Sequence, residues 1–313
     1  MERPEKCPEA RLSFANWSAS LTGEYKDAEE RVIMKKWNMI IDVALCENCN
    51  NCTLATKDEH VDNDFPGYAA PQPRHGHSWI DIKRNVRGSS SMVDAAHVPT
   101  MCNHCDDAPC IKVGKGAVIK RNDGIVIIDP QKAKGRRDIL ESCPYGAIFW
   151  NEELQLPQHW IFEAHLLDQG WQQTRGAQAC PTGAMKAVKL EDSDMTMQAK
   201  TAQLEVLKPE LGTRPRVYYK NLHRYTKCFI GGTVVATIGG VKECISDAVV
   251  ELRIKNAAIG RLNSDTFGDF KFDRIEPDSG AHNVTITHPK YGRASINVNV
   301  GAESIYAGDI MLA

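Results

Sequence analysis

Apolar positions along this chain fall into short runs of strand length, broken by cysteine loops and turn residues. Residues 39–45 (MIIDVAL) are apolar and β-branched and lead directly into the first group of cysteines. Residues 78–86 (SWIDIKRNV) alternate apolar and polar side chains, the pattern of a half-buried strand. Residues 117–129 (AVIKRNDGIVIID) predict a hairpin, because two β-rich runs flank Asn122-Asp123-Gly124 and Asp-Gly suits a turn with positive φ. Residues 130–140 predict a short helix with Pro130 in its first turn. Residues 147–151 and 185–190 predict two more strands, each just after a Cys-Pro pair, and 192–206 predict a helix.

The flanking regions differ from this middle. Residues 1–38 carry mixed charge without a period and read as an N-terminal extension. Residues 206–227, which include KPELGTRPRVYYKNLHRYTK, are rich in Pro, Arg and Tyr and read as a linker across a surface. From 228 onward the composition becomes all-β, with runs at 232–238, 248–254, 269–272 and 283–287 separated by Gly, Asn, Asp and Pro. That spacing predicts a small sandwich over 228–313. The length of 313 residues suits about two domains at the usual ~150 residues each.

Charge narrows the partners. Lys plus Arg number 38 against 40 Asp plus Glu, a balance that gives no reason to expect nucleic acid. The basic stretch Arg214, Arg216, Lys220, Arg224 and Lys227, with Tyr218, Tyr219 and Tyr225 among it, reads as a protein contact or a solvated face. No apolar run approaches the ~18 residues of a membrane span, so direct membrane insertion is not expected. Residues 1–20 have no basic-then-apolar signal pattern and no twin arginine, so a cytoplasmic location is expected.

The 11 cysteines carry the chemistry. Seven of them, Cys46, Cys49, Cys52, Cys102, Cys105, Cys110 and Cys143, lie within 98 residues, which suits metal ligands better than a disulfide scaffold. Cys46-x2-Cys49-x2-Cys52 is the first part of the bacterial ferredoxin run, and Cys102-x2-Cys105-x4-Cys110 is a second three-thiol loop. A tight loop with two-residue gaps places three thiolates on three corners of an iron–sulfur cubane, and the fourth comes from elsewhere. Cys143-Pro144 and Cys180-Pro181, each followed by Gly and a strand (CPYGAI, CPTGAM), are the expected fourth donors. They also form an internal repeat, so two pseudo-symmetric modules are expected. Eight cysteines make two [4Fe–4S] clusters. Zinc is the competing reading, but each loop would leave a spare thiol beside two C-x2-C knuckles. Cys7, Cys228 and Cys244 stand alone and read as bystander thiols; His60 and His104 read as neighbours of the sites or surface residues, not ligands. No Ser-His-Asp set, phosphate loop or carboxylate pair suggests an active site in this chain, so no catalytic residue is expected.

The blocks CENCNNC, CNHCDDAPC, DGIVIIDPQKAKG, CPYGAIFWNEE, AHLLD and LKPELGTRPRVYYKNLHR, in this order, resemble the family of iron–sulfur small subunits of pyrogallol–phloroglucinol transhydroxylase (pyrogallol hydroxytransferase). More broadly the cysteine part is similar to the ferredoxin-type β subunits of the DMSO-reductase family of molybdenum enzymes. The resemblance runs from about residue 39 to 313. It implies an α+β fold: two interlocked ferredoxin-like modules (39–205), then the linker and an immunoglobulin-like β-sandwich (228–313). It implies that Cys46, Cys49 and Cys52 share a cluster with Cys180, and Cys102, Cys105 and Cys110 with Cys143. It also implies a large partner subunit with a bis-pterin molybdenum cofactor, forming a heterodimer in which this chain is the non-catalytic member.

Four departures stand out. Where the wider family carries cysteines of one further cluster, this chain has Thr56, Trp160, Glu163 and Gly176. None supplies a thiolate, so that entire cluster is expected to be absent. Another vacancy, at Gly114 and 133–139, already looks vacant in transhydroxylase. By the resemblance the missing cluster would sit between the two retained ones, leaving the chain a poor electron wire. That suits a redox-neutral hydroxyl transfer between polyhydroxylated phenols. The alternatives are an electron-transfer β subunit of a respiratory molybdenum reductase and a zinc-binding assembly module.

Overall fold

A computed structural model of the chain describes residues 34–89, 91–255 and 257–313. Most of the expected extension, and Cys7 with it, therefore lies outside the described residues. The chain first forms strand β1 (Lys36–Asp42) and helix α1 (Asn51–His60), then a long hairpin of β2 (Asp81–Ser89) and β3 (Met92–Thr100). Helix α2 (Pro109–Gly114), the small hairpin β4 (Val118–Lys120) and β5 (Val126–Ile128), and helix α3 (Arg137–Glu141) follow. Next come β6 (Phe149–Asn151), β7 (Leu156–Gln158), α4 (Ala164–Asp168), α5 (Arg175–Gln178), β8 (Met185–Leu190) and α6 (Asp192–Thr201). Strand β9 (Val217–Lys220) and helix α7 (His223–Thr226) close this part.

The sheet β8-β1-β9 is its scaffold, antiparallel between β1 and β8 and parallel between β1 and β9. Met39, Ile41, Val217 and Tyr219 are wholly buried in it and share a core with Trp79, Trp160 and Phe162. A smaller core of Ala117, Val118, Val126, Ile128, Ala133, Ile139 and Ile148 sits beneath the β4–β5 hairpin. Gly124 turns that hairpin at φ 87°, the conformation that Asp-Gly anticipates.

Two sequence expectations change here. Lys36, Trp37 and Asn38, read as extension, are strand residues, with Trp37 and Asn38 buried. Residues 206–227, read as a linker, contribute β9 to the core. Residues 213–216 also zip onto the second cysteine loop: Arg216 N–H donates to the Asn103 carbonyl, Asp106 N–H to Arg214 and Asp107 N–H to Thr213. The basic stretch is likewise not a free face. Arg216 is nearly buried and pairs with Asp106 and Asp192, Arg214 with Asp107, Lys220 with Asp42, Arg224 with Asp94 and Lys227 with Glu276. Burying Arg216 is tolerable because each side of its guanidinium meets a carboxylate.

From Cys228 the chain is all strand. β10 (Cys228–Ile238) is followed by β11 (Val241–Cys244), β12 (Val249–Ile254), β13 (Ala257–Asn263), β14 (Asp269–Ile275), β15 (Gly280–His288), β16 (Gly292–Val300) and β17 (Ile305–Met311). One sheet is ordered β11-β10-β14, with β17 parallel to β10; the other is β13-β12-β15-β16. Their inward side chains, among them Ile230, Val234, Val250, Leu252, Val284 and Ile286, close one core. Arg87 of β2 ties this unit to the rest. Its guanidinium donates to both oxygens of Asp273 on β14, to Asp94 on β3 and to the Lys227 carbonyl. Among the described residues no helix is long and apolar enough to cross a membrane.

Candidate metal centres

Strand pairing builds the first site. The antiparallel match of Ile41 with Met185, continued by Asp42 N–H to the Ala184 carbonyl, brings the loop after β1 against the Cys-Pro turn before β8. Cys46, Cys49, Cys52 and Cys180 consequently line one pocket, floored by Ile82, Pro99, Ala184 and Met185. Asn48 and Asn50 take positive φ (56° and 60°), which Asn tolerates better than most side chains, and this curls the loop between its thiols. Burial pushes the Cys52 thiol up to about 11, and Cys46 is raised for the same reason. Burial also acts to raise Cys180, but the Thr182 hydroxyl and the N–H groups of Met185, Ala184 and Thr182 outweigh it and hold that thiol below its ordinary value.

The second site is assembled by different supports. Cys102 and Cys105 follow β3, Cys110 lies on α2, and Cys143 follows α3. Lys120 of β4 donates to the carbonyls of His104 (2.7 Å) and Cys105 (2.9 Å) and pairs with Asp106, fixing the loop from below. Tyr145, just past Cys143, shares a 2.7 Å hydrogen bond with Thr213, so residues 213–216 cover both halves of the site. Burial, then the closeness of Cys110, Cys143 and Cys105, raises the Cys102 thiol well above its ordinary value. Burial and the neighbouring Cys143 and Cys105 push Cys110 up to about 12.

The eight cysteines singled out from spacing thus gather as two groups of four. Among the described residues, no three Cys, His, Asp or Glu side chains converge tightly enough to hold a single ion. Thiols gathered in fours, several of them raised by burial, gain most from a cationic centre that binds them as thiolates. That donor chemistry fits an all-thiolate iron–sulfur cluster. The ten cysteines in the described residues are free; Cys228 is buried and Cys244 exposed, each apart from these groups.

His104 occupies the turn of the second loop at φ 45°, the position that Asn48 holds in the first. It is buried, and its Nδ1 accepts the Val126 N–H at 3.0 Å, so it braces the loop. His60 is wholly buried as well, on the inner face of α1, not at the surface.

Between the two thiol groups lies an arrangement that sequence reading did not anticipate. Trp160 Nε1–H donates to Glu163 Oε1 at 2.7 Å, and the Thr56 hydroxyl reaches the same oxygen at 3.4 Å. All three residues are buried. Thr56 lies one helical turn beyond Cys52 on α1, while the Trp160 ring packs 5.4 Å from His104. Gly176 faces the same helix: a Cβ there would lie 3.0 Å from Ile80 Cδ1 and 3.4 Å from the Cys52 Cβ. Three of the four positions without cysteine are therefore joined by hydrogen bonds, and the fourth packs beside Cys52. The backbone of 160–163 also keeps a cysteine-loop turn, because Phe162 stands at φ 59°, matching Asn48 and His104. Neither aromatic bulk nor burial favours that φ, and only the fold's geometry accounts for it. Burial raises the Glu163 carboxyl to about 7, although Trp160 and Thr56 donate to it.

A family model described as a 4Fe-4S dicluster domain matches residues 93–190. The pyrogallol hydroxytransferase small subunit of Pelobacter acidigallici is 41% identical over 256 residues, covering 81% of this chain and 91% of that protein. A tetrathionate reductase subunit of Salmonella typhimurium is 31% identical over 60% of this chain and 73% of that protein. The arsenate respiratory reductase iron–sulfur subunit of a Shewanella species is 27% identical over 58% of this chain and 94% of that protein.

Proposed function

Because the chain belongs to the family of pyrogallol hydroxytransferase small subunits, we propose that it is the iron–sulfur small subunit of a molybdenum-dependent hydroxytransferase acting on polyhydroxylated phenols. The two thiol groups hold one [4Fe–4S] cluster each: Cys46, Cys49, Cys52 and Cys180 for the first, Cys102, Cys105, Cys110 and Cys143 for the second. Such clusters, when bound, take up and release single electrons. The chemistry belongs to a large partner that carries the bis-pterin molybdenum cofactor, the two forming a cytoplasmic heterodimer. The 39–205 part serves as interlocked ferredoxin-like modules. Residues 228–313 are read as an immunoglobulin-like domain, a reading supported by the two facing sheets and the parallel pairing of first and last strands.

The observation that carries the redox-neutral reading is the Trp160–Glu163 hydrogen bond. It fills, with protein, the place where a wire through the chain would have its middle cluster. On this reading the two remaining clusters exchange electrons slowly, because no cluster stands between them. A hydroxyl transfer from one phenol to another leaves no net electrons to export, so such isolation costs it nothing.

Iron, acid-labile sulfide and molybdenum counts on the complex purified anaerobically from its native source test this. About 8 irons per small subunit are expected from two cubanes. About 12, or zinc without sulfide, would overturn the cluster reading. Rapid reduction of an artificial acceptor with equimolar phenol oxidation would instead favour a respiratory reductase.

A further inference from the structure

Glu163 is a fully buried carboxyl that is only half satisfied. Its side chain is fully buried, yet Oε2 has no hydrogen-bond partner. The nearest basic group is His60, whose Nε2 lies 3.9 Å from Oε1. Neither ring nitrogen of His60 has a partner, and burial holds that imidazole down to about 3, so it offers no positive charge. An ionised Glu163 would thus be a nearly uncompensated buried charge, which burial penalises heavily.

A path leads outward from this carboxyl. His60 packs edge-on against His165, ring centroids 5.4 Å apart. His165 Nε2 meets Glu59 Oε1 at 2.9 Å, and its Nδ1 is unpartnered. Glu59 reaches solvent and is paired with Arg175 at 3.2 Å. Proton-bearing side chains therefore run from the interior to the surface in the order Glu163, His60, His165, Glu59. The charged and titratable groups facing Glu163 are Glu59 and His60 from α1, His165 from its own helix and Arg175 from α5. Across Trp160 stand His104 and His159, both buried and both depressed by burial.

We propose that Glu163 is a redox-linked proton site: its carboxylate binds a proton when the neighbouring cluster held by Cys46, Cys49, Cys52 and Cys180 gains an electron, and releases it on reoxidation. The balance is one electron and one proton. The electron comes from the partner's reduced molybdenum centre, or from dithionite in the test, and stays on the iron–sulfur group. The proton comes from solvent through Glu59, His165 and His60 and forms an O–H bond on the Glu163 carboxylate. Thr56, which donates to Glu163, lies one helical turn from Cys52 and so links the carboxyl to that end of α1. The resting value near 7 puts this exchange within reach of neutral pH. The inference rests on the cluster assignment proposed above.

The test is a potentiometric titration of the purified complex, followed by electron paramagnetic resonance from about pH 5 to about pH 9. One cluster's midpoint potential is expected to fall as pH rises and then level off, and Glu163→Gln is expected to abolish that shift. Reduced-minus-oxidised infrared spectra should show a protonated-carboxyl band that moves in heavy water and is missing in Glu163→Gln. A flat native titration without the band overturns the proposal, as does a band that persists in Glu163→Gln. If Glu163→Gln fails to hold its clusters, the native titration and heavy-water shift decide alone. Iron and sulfide counted on the same samples separate this outcome from failure of the cluster assignment.

Discussion

Arg87 and Asp273 face each other across the boundary between the cysteine-bearing part and the C-terminal sheets, joined by two parallel hydrogen bonds of 2.7 and 2.9 Å. The guanidinium is nearly buried, and Asp94 meets it from the other side. Burial alone would raise Asp94, but its bonds from Arg224 and Arg87 prevail and hold it well below the usual carboxylate range. This knot fixes how the β unit sits on the long β2–β3 hairpin.

Removing the guanidinium should therefore loosen the junction without emptying the cysteine sites. Arg87→Ala leaves Asp94 to Arg224 and Lys271 and Asp273 to Lys271, and is expected to cost about 1–3 kcal/mol for the lost charged hydrogen bonds. Limited trypsin digestion should cut near Arg224 and Lys227 in the variant and not in the native chain. Iron content should stay unchanged, and a parallel loss of iron would show that the two parts are not separable in this way.

The two thiol groups have no cysteine in common, so they should fail independently. Cys180→Ala is expected to remove about half the iron, ~4 of ~8 atoms, and to leave the second cluster's paramagnetic signal intact. Cys143→Ala should do the reverse. Loss of both signals from either single variant would contradict the grouping.

The preserved turn at Phe162 makes the filled site recoverable. Changing Thr56, Trp160, Glu163 and Gly176 together to cysteine should raise iron by about 4 per chain and add a third cubane signal. Gly176 is the tightest position, and its new Cβ needs Ile80 to shift by a few tenths of an ångström. Trp160→Ala alone should destabilise the fold by about 3–5 kcal/mol, because nothing then fills the space of the indole. No gain of iron in the fourfold variant, with its fold intact, would mean the backbone there is not a latent cluster loop.

Stability should also vary with pH through Glu163. Its carboxyl titrates higher in the folded chain, about 7, than the ordinary 4.5. The folded state therefore holds a proton that the unfolded state has lost between those values, and stability falls as pH rises through that window. Glu163→Gln removes this dependence, so the variant's advantage over the native chain should grow by up to about 3 kcal/mol across the window and stay level outside it. His60 acts in the opposite sense but is common to both proteins and cancels. Thermal melts of the pair over this range provide the measurement.

The gathering of Cys46, Cys49, Cys52 and Cys180 was legible because two-residue gaps keep three thiols on one loop and a Cys-Pro turn before a strand brings a fourth. The β4–β5 hairpin was legible through Asn122-Asp123-Gly124, where one short turn decides the pairing. Strand β9 was not. Val217 and Tyr219 are buried while Arg216 is paired with distant carboxylates, so the segment shows a basic, Pro-flanked surface pattern; its partner strand lies far earlier in the chain. The positions of Thr56, Trp160, Glu163 and Gly176 could be read as missing thiols. What replaced them could not, because the Thr56–Glu163 hydrogen bond joins residues 107 positions apart and the loop takes a positive φ at Phe162 that no aromatic residue signals.

The pairing of β1 with β8 also sets a timetable. Cys46, Cys49 and Cys52 emerge early from the ribosome, but their fourth companion is Cys180, and the residues that clamp the second loop are 213–216. A nascent chain shorter than this presents incomplete sets of thiols, exposed to oxygen and to the wrong metals. On the proposed assignment the two sets cannot both close until residues 213–216 have been made, and the early cysteines must stay reduced until the last third of the message is being read.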